Sequence, residues 1–189
     1  MNIEMKKNFP SVLAALLLTV SVFSQHDTLI TNIHDRDIIN LSGKWRYLTD
    51  VNQQSRGYET DAEPIEKWDL HEYNFPTSDW LYVPGDWNTQ RERLYYYDGH
   101  IWYNKDFIWD TKDNTRKFIY FGAVNYKAEV YLNGTLIGKH TGGFTPFNFE
   151  IEDTLLKEEN SLVVLADNTR DFSGVPPFRT GWWNYGGIT

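Results

Sequence analysis

The 189-residue chain contains no cysteine. Disulfides, thiolate metal sites and cysteine nucleophiles are excluded with it, and the sequence carries no mark of a redox compartment. Runs of five or more like charges are also missing, and 18 Lys and Arg against 26 Asp and Glu give a formal net charge of −8. Nucleic-acid phosphates are held by clustered cations, so no nucleic-acid surface is expected. His26, His34, His71, His100 and His140 stand at no metal-ligand spacing, so neither a metal site nor a cofactor is expected. Gly134 to Lys139 has only three residues between its glycines, and a histidine rather than Ser or Thr follows the lysine. It therefore lacks the pattern of a phosphate-binding loop.

Helical periodicity is almost absent, and no apolar run is long. The uncharged, mostly apolar residues 9–24 fall short of the roughly 20 needed to span a bilayer. Lys6 and Lys7 precede this run and Ser24 closes it before Gln25, which is the pattern of a secretory signal peptide over residues 1–24. A non-cleaved anchor is the alternative. No cysteine follows for lipid attachment, so the expected product is an acidic periplasmic or secreted chain, free of the membrane after cleavage. Residues 25–40 are polar and without sustained periodicity, a leader before a domain expected over residues 41–189.

What is abundant is aromatic: 16% of the chain, including 8 Trp. Trp and Tyr join an apolar face to a polar tip, which suits sugar rings, protein partners and sandwich cores alike. Short strands are expected over residues 41–48, 80–83, 101–109, 117–121, 147–151 and 161–166, with Trp45 inward and a single helical turn within residues 153–160. Residues 49–77 form a long loop, and a second loop carries Tyr95, Tyr96 and Tyr97. Beyond both lies the best-defined element, a hairpin. Ala128, Val130 and Leu132 alternate with Lys127, Glu129 and Tyr131, the period of a strand with one buried and one wet face. Asn133-Gly134 supplies a two-residue type I′ turn, since both tolerate positive φ. That turn sets Leu132 opposite Thr135, Tyr131 opposite Leu136 and Val130 opposite Ile137. Gly142-Gly143 and Pro146 then shape the loop into the next strand. Many short strands with turn signals predict an all-β sandwich.

Four collinear patches carry a resemblance: Val83-Pro84-Gly85-x-Trp87-Asn88; Tyr97-x-Gly99-x-x-Trp102-Tyr103; the segment 121–147 with the Asn133 hairpin, His140 and Gly142-Gly143-x-Thr145-Pro146-Phe147; and Trp183-Asn184-Tyr185-Gly186-Gly187-Ile188. Together, over about residues 41–189, they resemble the N-terminal sugar-binding domain of glycoside hydrolase family 2, the β-galactosidase and β-glucuronidase branches above all. The resemblance implies a jelly-roll β-sandwich of the galactose-binding-domain type. It also implies carbohydrate as ligand, and as partners an immunoglobulin-like domain and a (β/α)8 barrel following in the complete enzyme. The family hydrolyses O-glycosidic bonds with two barrel glutamates, a retaining pair about 5 Å apart. No residue here matches them, so the chain is expected to be a non-catalytic fragment.

Some family members place an acidic residue where Gly181 stands, reaching towards the sugar. Asp167 and Asp171 are nearby in sequence and could replace it. The sugar-contact candidates are therefore Asp98, Asp167, Asp171, Trp182, Trp183, Asn184 and Tyr185, with Tyr95, Tyr96 and Tyr97 as an alternative binding loop. Asn133, Gly134, His140, Gly142, Gly143 and Pro146 are read as structural. For His140 that means a hydrogen-bonded histidine holding the glycine loop. Two other functions stay open: a free-standing carbohydrate-binding module, and a purely structural or interaction domain.

Overall fold

The computed structural model describes residues 29–50, 75–110, 115–169, 174–175, 177, 181 and 183–189. The signal segment, most of the long loop, Asp171 and Trp182 lie outside the described residues.

The strands are β1 Gly43–Asp50, β2 Trp80–Val83, β3 Gly85–Asp86, β4 His100–Ile108, β5 Lys117–Phe121, β6 Val124–Asn125, β7 Lys127–Leu132, β8 Thr135–Thr141, β9 Phe147–Ile151, β10 Glu159–Asp167 and β11 Gly187–Ile188. They form a six-stranded sheet in the order β2-β1-β4-β10-β7-β8, a three-stranded sheet β3-β11-β6 and a two-stranded sheet β5-β9. Every pairing is antiparallel. The expected all-β sandwich is the observed architecture. The expected strands at 80–83, 117–121 and 147–151 coincide with β2, β5 and β9.

One face of the large sheet and the inner faces of β5 and β9 enclose the main core. Trp45, Leu81, Ile101, Tyr103, Val130 and Val164 meet Ile119, Phe121, Phe147, Phe149 and Ile151 there. Each fully buried aliphatic side chain contributes about 1.5–3 kcal/mol. Trp45 points inward as expected, and its indole Nε1 donates to the Leu41 carbonyl at 2.8 Å. A buried indole N–H needs such a partner.

The hairpin turn is as read: Asn133 has φ 49° and Gly134 φ 86°. Its register departs from expectation after two pairs. Leu132 faces Thr135 and Tyr131 faces Leu136, but Val130 then faces Gly138, not Ile137, because a bulge intervenes between Val130 and Tyr131. The cause is on the opposite layer. A Cβ at Gly138 would lie 2.2 Å from Phe149, so only glycine fits under that ring, and the bulge delivers it there. The outer face of β7 is not uniformly wet either. Tyr131 packs with Phe75, Trp102, Val163 and Leu165 in a second cluster on the far side of the sheet. The unbroken run Leu162 to Ala166 on β10 reflects the same burial of both faces. The helical turn expected within residues 153–160 is a 3-10 turn, Asp153–Leu155.

Candidate functional site

The tail that carries Trp183 has almost no regular structure, yet it is fixed. Strand β11 completes a three-stranded ribbon, pairing Gly187 with Asp86 and Asn125, and Ile188 with Gly85 and Val124. Ahead of it, Gly186 lies flat on the fully buried Trp87, where a Cβ would come within 2.0 Å of the indole. Asp86 caps the short helix Trp87–Gln90 by accepting from the Thr89 N–H at 2.7 Å, and so holds Trp87 in place.

Four asparagines supply further hydrogen bonds. Asn88 Oδ1 accepts from the Gly186 N–H at 2.9 Å, while its Nδ2 donates to the carbonyls of Leu94, Tyr95 and Tyr97 at 3.0, 3.3 and 3.1 Å. The 1% exposed Asn168 accepts from the Gly99 N–H at 2.8 Å and donates to the Asn184 carbonyl at 2.8 Å. Asn184 returns a bond to the Asn168 carbonyl at 2.6 Å. Asn125 donates to Asn184 Oδ1 at 2.9 Å and to the Tyr185 carbonyl. Its carboxamide fits because Gly143 has no side chain: a Cβ there would lie 2.3 Å from Asn125 Oδ1.

This stitching brings together two groups that are far apart in sequence. Trp183 stands with its ring centroid 6.0 Å from Tyr95, 5.7 Å from Tyr96 and 6.4 Å from Tyr185, and Tyr95 and Tyr96 meet edge to face at 4.7 Å. Tyr96 and Trp183 remain 78% and 60% exposed, and Tyr95 40%. The result is an exposed aromatic rim. Tyr97, the third tyrosine of the loop, turns away from it. Its hydroxyl donates to the His100 carbonyl at 2.8 Å, and its ring packs at 6.3 Å from Trp87. Burial, then the charges of Asp50 and Asp167, push its pKa up to about 12.

Asp98 is exposed in the turn before β4. Asp167 is buried at the end of β10, where Thr169 N–H donates to it at 2.7 Å and His100 Nε2 lies 3.5 Å away. An added Cβ at Gly181 would meet no atom within 4 Å. His140 stacks on Phe147 at 4.0 Å, and its Nε2 is 3.5 Å from Thr145 Oγ1, so it holds the loop of Gly142, Gly143 and Pro146 against the core. Asn133 closes its own turn by accepting from the Ser161 N–H at 2.9 Å and donating to the Leu155 carbonyl at 2.7 Å.

Sequence reasoning placed Asn184 in the site but did not single out Asn125 or Asn168, and it met Asn88 only as part of a motif. Asparagine is also the ordinary turn residue, and the partners here are up to 98 positions apart. Among the described residues no three His, Asp or Glu side chains converge as a metal site would require.

This arrangement defines a galactose-binding-like β-sandwich whose loops present an aromatic rim at one end. The family described as "Glycosyl hydrolase 2 galactose-binding domain-like" matches residues 86–173, and the chain belongs to that family. It is 30% identical over 148 residues to a β-glucuronidase of Paenibacillus borealis, covering 76% of this chain and 23% of that protein. A β-galactosidase of Thermoanaerobacterium thermosulfurigenes is 31% identical over 159 residues, covering 81% of this chain and 20% of that protein. Among solved structures, a β-glucuronidase from an uncultured Clostridium sp. superposes with a TM-score of 0.64 at 25% identity, covering 86% of this chain and 29% of the other. The chain thus spans under a third of the length of these relatives, and what it matches in them is a non-catalytic N-terminal domain.

Proposed function

We propose that this domain serves a secreted or periplasmic glycosidase acting on β-glucuronides or β-galactosides, and that its aromatic rim borders the place where sugar is bound. The carrying observation is that the aligned stretch makes up only 20–23% of a β-galactosidase and a β-glucuronidase. Hydrolysis would then fall to catalytic carboxylates elsewhere in the complete enzyme, with immunoglobulin-like and barrel domains as the partners of this one. The chain assayed with chromogenic β-glucuronides and β-galactosides gives no turnover on this reading. Turnover that disappears on substituting a carboxylate of this chain would overturn it.

The rim itself supports a second role, direct carbohydrate binding by this domain. Trp and Tyr faces stack on the C–H faces of pyranose rings while their polar edges stay solvated. Tyr95, Tyr96 and Trp183 offer such faces on a loop and a tail already fixed by hydrogen bonds, which lowers the ordering cost of binding. The secretory route rests on the pattern of residues 1–24. N-terminal sequencing of the exported protein tests it, with Gln25 expected as the first residue and Met1 contradicting it.

A further inference from the structure

Asp50, His100, Asp167 and Lys127 stand side by side across four neighbouring strands. Asp50 pairs with His100 between β1 and β4, His100 with Asp167 between β4 and β10, and Asp167 with Lys127 between β10 and β7. Directly paired residues project to the same face of a sheet. The row therefore runs carboxylate, imidazole, carboxylate, ammonium. His100 Nε2 is 3.5 Å from Asp167 Oδ2, and Lys127 Nζ is 3.7 Å from the same oxygen. The imidazole Nδ1 is buried without a hydrogen-bond partner.

The position of the row is as informative as its composition. Gly99, beside His100, donates to Asn168; Asn168, beside Asp167, holds Asn184; and Asn125, two residues before Lys127, holds Asn184 and Tyr185. Tyr126, between Asn125 and Lys127, donates its N–H to the Asp167 carbonyl at 2.8 Å. Any relaxation of the row is thus passed, within one or two residues, to the asparagines that fix the tail.

We propose that this row is a pH-sensitive latch on the tail, closed while the His100 imidazolium completes the alternation of charge and loosened when the ring is neutral between two carboxylates. The other titratable and charged groups around it are accounted for. Glu129, on the same face of β7, is engaged by Lys139 and by the Tyr131 hydroxyl. Asp98 is exposed on the loop entering β4, and Tyr97 stays neutral with its hydroxyl on the His100 carbonyl. Asp167 remains ionised: burial pushes its pKa up, but the hydrogen bonds from His100 and Thr169 outweigh that and hold it below the ordinary carboxylate value.

The sign follows from His100. The hydrogen bond to Asp167 raises its pKa, burial and the charge of Lys127 oppose this, and the charges of Asp167 and Asp50 add to the rise, which prevails. A raised folded-state value means that the stabilisation is fully present below the ordinary histidine pKa and is lost as pH rises through the folded value. The latch closes on the acid side.

Amide exchange followed by NMR, corrected for intrinsic rates, tests this at Gly99 and Gly186, with Val164 in the sheet interior as the reference. Protection at the two glycines is expected to be lost progressively between about pH 6 and about pH 9, while Val164 stays constant. His100→Gln keeps a polar ring-sized group without the titration and should abolish the fall. An unchanged wild type, or an equal fall in the variant, overturns the proposal. If His100→Gln does not fold, direct carbon-detected titration of His100 in the wild type decides. A midpoint above 6.5, tracked by the Gly99 and Gly186 shifts, sustains the latch; a lower midpoint, or tail shifts that do not follow it, removes it.

Discussion

Where β7 meets β10, Val130 lies opposite Val164 and Ala128 opposite Ala166, all of them buried, and the strands are held by what their side chains exclude from water. In residues 183–186, by contrast, the tail presents a glycine, an asparagine and an exposed tryptophan, and is held largely by what other side chains donate to and accept from its backbone. The first kind of contact is non-directional and tolerates shape-conserving exchange. The second is directional, and each missing partner leaves a buried polar group without a bond. A binding rim gains from the second kind, because hydrogen bonds fix the position of Trp183 without covering its ring.

Trp87 belongs to both regions, so its loss should have the largest effect. Trp87→Ala removes a fully buried indole and is expected to cost about 4 kcal/mol in urea denaturation, lowering sheet stability and tail protection together. Asn168→Ala separates the regions. It strips the Gly99 N–H and the Asn184 carbonyl of their partners, at about 3 kcal/mol where both stay buried. Exchange should rise first at Gly99 and Gly186, with β10 still protected; equal loss throughout would mean that tail and sheet form one cooperative unit. Gly186→Ala forces a methyl group towards Trp87 and should cost about 2 kcal/mol, again by denaturation. Trp183→Ala comes last, with melting expected to change by less than about 0.5 kcal/mol, since the ring is mostly exposed.

The same division explains what could be read from the sequence. Strands β2, β5 and β9 and the Asn133-Gly134 turn were legible because alternation and turn chemistry are local signals. The bulge in β8 was not, since its cause is Phe149, on another layer. Tyr131 looked wet beside Glu129 because nothing local reveals that Trp102 and Phe75 bury the outer face. In the site, Trp183 and Tyr95 to Tyr97 stood out as aromatics, but their meeting depends on Asn88, Asn125 and Asn168 acting across long separations. Composition also could not divide Tyr97, which turns inward, from Tyr96, which stays exposed.

Whether the rim is a prearranged sugar-binding surface is tested most directly by NMR titration of the chain with β-linked glucuronide and galactoside oligosaccharides at millimolar concentration. The predicted result is saturable shifts at the Trp183 indole and the Tyr96 ring, lost in Trp183→Ala, with the Trp45 and Trp80 indoles unmoved. Shifts absent from the rim, or saturable shifts that persist in Trp183→Ala, would contradict it.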